Sequence, residues 1–242
     1  MKKIFTTLLL SVAIMTLAQE VPTSFPRKFL IEHFTGTWCA YCPYGMMAID
    51  YAVQTSETPY IWVSHHMNDN YSTNEGYEIY GIYAAAVPET EQGVPSMMLN
   101  RSQQAQGMGF HPGYLPDMTI TDATTAEASV LIDHTYNAET RQLDITVSGQ
   151  VANTTTTSYL LTVLIKENGI ISSQSDAYFA WGSSWKEFLH PRISRAFLSA
   201  ATGDLVNVAN QAYSKTYSYT LNEKWEPENC CVVAYITPIT KK

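Results

Sequence analysis

The sequence predicts a two-part fold class, an α/β domain over residues 19–122 followed by an all-β sandwich domain over residues 123–242, behind a signal peptide at residues 1–18. Three observations lead there. An apolar strand-like run, Phe29-Leu30-Ile31-Glu32-His33-Phe34, enters Cys39-x-x-Cys42 and then a helix-like stretch over 44–53. After about residue 120 the pattern changes to period-two alternation over 128–136, 143–151 and 159–167. The chain has 242 residues, 45% hydrophobic and only 15% charged, enough for more than one core.

Element by element, Met1-Lys2-Lys3, an apolar run over 4–17 and Thr16-Leu17-Ala18 before Gln19 read as a signal peptide cleaved near Ala18. No cysteine stands at the cleavage point, so no lipoprotein anchor is expected. No apolar stretch reaches the ~18 residues of a membrane-spanning helix. The mature chain is expected in a soluble form beyond the inner membrane, where disulfides persist.

A C-x-x-C opening a helix places its first sulfur at the positive end of the helix dipole, which favours thiolate over thiol. Cys39 is the expected nucleophile and Cys42, one turn in, the resolving cysteine. Pro43 suits the first helical turn, where its missing N–H does no harm. Two other readings of the motif stand beside redox exchange. Half a zinc site needs two further ligands, and the remaining cysteines, Cys230 and Cys231, are adjacent and distant. A purely structural staple needs nothing more.

The stretch from Gly93-Val94-Pro95 through Asn100 resembles the thioredoxin-fold loop in which a cis-proline faces the C-x-x-C and opens the next strand; a trans Pro95 at a strand start is the alternative. The order of strand, C-x-x-C, helix, strand over 60–65, G-V-P and strand is that of thioredoxin. The resemblance implies that Val94 and Pro95 present a surface to a bound peptide or thiol and that Trp38 covers the thiol pair. It further implies that Glu32, by strand position, takes the proton of the resolving thiol, with burial raising its pKa. His33 is the neighbouring alternative for that position, and a water-facing Glu32 the structural one.

In the second half, strands are expected over 128–136, 143–151, 159–167, 212–221 and 231–236, with turns at Asn137-Ala138-Glu139 and Asn168-Gly169 and a hairpin turn at Thr154-Thr155-Thr156-Thr157. Residues 181–204, with Trp185, Phe188, Leu189, Ile193, Phe197 and Leu198, read as a long, partly helical excursion. Pieces across nearly the full length resemble a Gram-negative family of twenty-eight-kilodalton outer-membrane-protein-related chains: Glu32-His33-Phe34-Thr35-Gly36 before C-x-x-C-P, Pro95 with Asn100-Arg101, Lys166-Glu167-Asn168-Gly169-Ile170 with Gln174, His190-Pro191-Arg192-Ile193-Ser194-Arg195-Ala196 with Gly203-Asp204, and Val232-Val233-Ala234-Tyr235-Ile236. That resemblance implies a thioredoxin-like fold followed by an immunoglobulin-like β region, exported to the periplasm or outer membrane.

A formal charge of −8 without basic clusters excludes nucleic acid as a partner. Sixteen tyrosines fit half-buried sheet positions or a sugar- or protein-binding surface. His65-His66 with Asp69 do not make a metal site, because adjacent strand residues face opposite ways. His190, Arg192 and Arg195 either pin the long excursion through buried hydrogen bonds or line a pocket. Cys230-Cys231 leave three outcomes open, buried thiols foremost, then a vicinal disulfide or a second redox pair. The function expected is thiol–disulfide exchange with protein or small-thiol partners, catalysed by Cys39, Cys42 and Glu32 beside a surface of Trp38, Val94 and Pro95, with no metal or organic cofactor. The alternative is a non-enzymatic outer-membrane-associated binding or adhesion protein whose C-x-x-C is a structural disulfide.

Overall fold

In a computed structural model, the structure describes residues 23–55, 59–101, 105–106, 125–152, 158–177 and 183–239. The signal peptide and the Thr154–Thr157 turn lie outside the described residues. The first half holds β1 (Phe25–Pro26), β2 (Phe29–Thr35), α1 (Cys42–Thr55), β3 (Tyr60–His66), α2 (Asn74–Ala86), β4 (Ser96–Leu99) and β5 (Ala105–Gln106). The second holds β6 (Thr125–Ala126), β7 (Leu131–Asn137), β8 (Gln142–Gln150), β9 (Ser158–Glu167), β10 (Ile170–Asp176), β11 (Ser183–His190), β12 (Ile193–Phe197), β13 (Asp204–Asn207), β14 (Ala212–Thr220) and β15 (Cys230–Pro238).

The predicted fold class is corrected here. The described residues are 51% strand and 18% helix, spread over several sheets, with no clear α/β thioredoxin fold. The dominant unit is an eight-stranded sheet that takes strands from both sides of residue 122, in the order β13-β9-β12-β3-β2-β4-β5 with β15 on the other edge of β9. The joint is β12, parallel to β3 at Ile193↔Ser64 and antiparallel to β9. It comes from the segment expected to be partly helical. Its Ile193 and Ser194 are instead buried strand residues.

β9 explains why the halves merge. One edge of β9 is paired along its length by β15, and the other is shared end to end by β12 and β13. Residues 161–165 of β9 are buried on both faces, Thr162 included, so burial there is continuous and does not alternate. Leu161, Val163 and Ile165 pack with Ile145 and Val147 against the three-stranded sheet β14-β8-β7, while Leu164 meets Val63 of β3 and Val233 of β15.

The two helices of the first half lie on opposite faces of β2-β3-β4. Met46, Ile49 and Val53 of α1 pack on Ile31, Trp62 and Met97, whereas Ile79 and Tyr83 of α2 pack on Phe34 and Met98. α2 is a helix that the sequence reading did not anticipate. Thr73 caps it by accepting a hydrogen bond from the Gly76 N–H at 3.0 Å.

Candidate functional site

β2 ends at Thr35, and the loop that follows is held by Asp69, whose Oδ2 accepts from the Thr37 N–H at 2.8 Å. α1 then starts at Cys42 with Pro43 in its first turn. Cys39 and Cys42 are joined as a disulfide at this junction. They are 4% and 0% exposed.

The hairpin β10–β11 lies along this loop. The Gln174 side-chain amide donates to the Cys39 carbonyl at 2.8 Å and to the Gly36 carbonyl at 3.2 Å. Backbone bonds from Ser175 N–H to Thr37 O at 2.8 Å and from Ala177 N–H to Ala40 O at 3.0 Å lay the end of β10 along the loop. Asp176 is the latch, accepting from the Tyr44 hydroxyl of α1 at 3.2 Å and from the Trp185 indole of β11 at 2.7 Å.

Val94 and Pro95 stand beside the disulfide, joined by a cis peptide bond, with the Cys39 Sγ 3.7 Å from the Val94 carbonyl oxygen. Pro95 lies against Gly45 of α1, where an added methyl would meet its Cβ at 2.6 Å. Trp38, expected as a cover for the sulfurs, is 50% exposed and folds back over Gly36, its indole donating to the Met67 carbonyl at 2.7 Å.

Cys39, Cys42, Val94 and Pro95 are thus brought together, and Glu32 is not. On β2, Ile31 and His33 face α1, while Glu32 and Phe34 face the side carrying α2. Glu32 is fully buried there in a polar knot. Arg101 Nε donates to its Oε2 at 2.5 Å and Arg101 Nη2 to its Oε1 at 2.9 Å; the Tyr235 hydroxyl donates to Oε1 at 3.2 Å, and His65 Nε2 lies 3.3 Å from the same oxygen. Burial pushes this carboxyl up, but the Arg101 charge, helped by His65, overrides it and holds the pKa at about 2. The expectation of a raised, proton-accepting Glu32 is corrected: a cation against a buried carboxylate outweighs desolvation. His33 occupies the α1 side, its Nδ1 3.4 Å from Ser64 Oγ and its Nε2 directed at Gly45. Burial, followed by the nearby His66 and His65, pushes its pKa down to about 3.

His65 and His66 point to opposite faces. His65 Nδ1 lies 3.0 Å from Ser194 Oγ, and His66 Nδ1 lies 2.7 Å from Asp69 Oδ2. Among the described residues, no three His, Cys, Asp or Glu side chains are grouped to hold a metal ion. The basic residues of the excursion pin it by charge and stacking more than by hydrogen bonds. Arg195 forms a 3.2 Å ion pair with Glu167 that lacks hydrogen-bond alignment and lies over Trp225 at 4.9 Å, while Arg192 lies over Trp62 at 4.2 Å. His190 is buried against His66 and Phe188. Cys230 and Cys231 are both free thiols, half-buried and exposed respectively, so the expected pair of buried thiols is corrected for Cys231. The strand β15 is covered mainly where Val233 and Ala234 meet the core, beyond Cys231.

Four site residues received no site role from sequence: Arg101, Gln174 and Tyr235, which entered only as points of the family resemblance, and Asp176. Gln174 and Asp176 sit in the polar run Ser172-Ser173-Gln174-Ser175-Asp176, which carries no apolar signal, and Arg101 and Tyr235 meet only through the fold.

Fold and site define a mostly-β protein with a buried disulfide in a loop tied to a hairpin. Residues 90–242 match the family described as outer membrane protein Omp28, and the chain belongs to that family. It is accordingly an exported Gram-negative protein of the outer membrane or periplasm. Among the described residues no helix is long and apolar enough to cross a membrane. The fold is similar to that of HBP35 of Porphyromonas gingivalis, with a TM-score of 0.73 and 21% identity over 90% of this chain and 72% of that one. A solved structure of an Agrobacterium tumefaciens protein aligns at a TM-score of 0.39 and 14% identity, over 84% of this chain and 80% of that one. No curated protein matches the chain.

Proposed function

We propose that this outer-membrane-family protein is a non-enzymatic binding protein in which the Cys39–Cys42 disulfide is structural. The observation that carries the reading is the burial of both cysteines, at 4% and 0% exposed, in a loop that Gln174 and Asp176 tie to the hairpin β10–β11 and to α1. Thiol exchange requires in-line approach of an external thiolate to a sulfur, and a covered pair denies it. The apolar side chains left outside, Trp38, Tyr41, Met47, Trp185 and Leu189, surround the same junction and form the contact surface that a binding role uses.

A second reading, thiol–disulfide exchange with protein thiols, draws on the approach of Cys39 Sγ to the Val94 carbonyl beside the exposed Trp38 and Tyr41. In it Cys39 is the nucleophile, Cys42 resolves, and Trp38, Val94 and Pro95 border the partner peptide. Insulin reduction and thiol trapping separate the two. The structural reading expects a disulfide that resists reduced glutathione in the native state and no insulin reduction above the blank. A mixed disulfide trapped on Cys39 by Cys42→Ser, together with insulin reduction lost in Cys39→Ser, would replace it with the second.

A further inference from the structure

β7 is the outer strand of the sheet β14-β8-β7. Its register with β8 runs without a break from Leu131↔Ser148 to Asn137↔Gln142, and among the described residues no strand pairs with its other edge. Six of its seven residues are exposed, Leu131 at 66%. Soluble proteins guard such edges with lysine, proline, a bulge or a covering element, because unpaired N–H and C=O groups are a template for another strand. The sequence Leu-Ile-Asp-His-Thr-Tyr-Asn has no lysine and no proline, and its ladder has no bulge. Under the even-numbered face of the same strand lies an apolar cavity of about 580 Å3, lined by Ile132, His134 and Tyr136 together with Leu143, Leu221 and Val232.

We propose that β7 pairs with β7 of a second copy of this chain, joining the three strands of each copy into one six-stranded sheet about a two-fold axis. A closed two-copy assembly requires the same patch on both sides, and a two-fold axis perpendicular to a sheet makes the facing strands antiparallel. That axis also keeps the faces of the sheet. Directly opposed residues must then share parity, so residue i faces a residue whose number sums with it to an even total. Centring on Asp133 sets two carboxylates directly opposite, which is disfavoured. Centring on Thr135 leaves the start of the strand unpaired. Centring on His134 matches all seven residues: Leu131 faces the partner's Asn137, Asp133 faces the partner's Thr135, and Ile132 faces the partner's Tyr136, twice over by symmetry. Asp133 meets no carboxylate, His134 faces its own copy, and the Ile132–Tyr136 pairs are apolar–aromatic contacts of the kind that stabilise antiparallel strands. Because the faces are kept, the two apolar cavities lie on one side of the joined sheet, with those pairs at the seam. This inference goes beyond the proposed function and does not depend on the state of Cys39–Cys42.

The register gives a sharp test in the full exported chain with Cys230→Ser and Cys231→Ser, so that only an added thiol cross-links. His134→Cys sits opposite itself with Cα atoms about 5.5 Å apart, within the Cα span of a disulfide, and mild oxidation is expected to give a covalent dimer. Leu131→Cys lies roughly 20 Å from its counterpart at ~3.4 Å per residue, and is expected to stay uncross-linked. A mixture of Ile132→Cys and Tyr136→Cys chains is expected to give the heterodimeric disulfide. The unmodified chain should sediment as a dimer, and His134→Pro, which removes an N–H that the β7–β8 register turns to the free edge, should sediment as a monomer with an unchanged circular dichroism spectrum. If His134→Pro unfolds, the cysteine series still decides. A chain that sediments as a monomer throughout, or equal cross-linking at positions 131 and 134, overturns the proposal, as does a stable complex of β7 with a different protein that excludes the second copy.

Discussion

Replacing Arg101 by methionine removes the cation from a carboxylate that has no contact with water. Glu32 is 0% exposed, and its pKa is held at about 2 against an ordinary 4.5, although burial alone would raise it. At about 1.4 kcal/mol per pH unit, that interval corresponds to roughly 3 kcal/mol of net stabilisation of the charged form. Breaking one partner of a buried ion pair costs about 3–5 kcal/mol by a separate line of experience, so the two figures agree. In a chain of this size about 2–4 °C of melting temperature follows each kcal/mol, and the expected fall is roughly 6–20 °C at pH 7. The pH dependence carries the mechanism. In the natural chain the folded pKa is depressed, so this site's stabilisation is present above pH 4.5 and is lost as the pH falls toward 2. In Arg101→Met the buried carboxyl loses its main cation and its folded pKa rises above 4.5; the variant gains stability as the pH falls from 7 toward 4.5. Urea denaturation at pH 7, 6 and 5 should therefore show the gap between the two chains narrowing on acidification. Glu32→Gln combined with Arg101→Met should recover part of the loss, since no charge is then left buried. A single variant within about 0.5 kcal/mol of the natural chain at pH 7, or a gap that does not change with pH, would refute the reasoning.

Further outcomes are expected elsewhere in the chain. His33 and His190 are held below the ordinary 6.5, at about 3 and about 4, chiefly by burial; the unfolded chain takes up their protons first, so stability should decline below pH 6.5, each contributing at most about 1.4 kcal/mol per pH unit. Chemical denaturation of His33→Gln should show a shallower decline than the natural chain, and an unchanged slope would remove His33 from the account. Burial pushes the Cys230 thiol up to about 11 while Cys231 is exposed, so iodoacetamide at pH 8 should label Cys231 well before Cys230 by mass spectrometry; the reverse order counts against the assignment. Gly45→Ala places a methyl 2.6 Å from Pro95 and should destabilise by about 1–3 kcal/mol, whereas Gly81→Ala on α2, with nothing within 4 Å, should stabilise by about 0.5–1 kcal/mol in thermal melts.

What was legible in the sequence was local. β2, α1 and β3 fall within a residue or two of their expected limits, because a short apolar run bounded by turn residues, or a proline in a first turn, acts on neighbouring residues only. The same holds for β8, β9 and β14, and for the meeting of Cys39 with Cys42, three positions apart. The fold class was not legible, since an apolar segment announces that it will be a strand and not which strand it will lie beside. Ile193 pairs with Ser64 and His65 meets Ser194, 129 positions apart, and nothing local to either segment records the other. The site divides in the same way. The motif itself predicts two sulfurs at a helix start, but only the folded chain bonds the polar run from Ser172 to Asp176 to the loop that carries them, and only it turns Glu32 to the face where Arg101, His65 and Tyr235 converge. A carboxylate's pKa depends on charges within a few ångströms, and those are supplied by long-range packing: the residue type was present in the sequence, and its environment came from strands that close on it only in the folded chain.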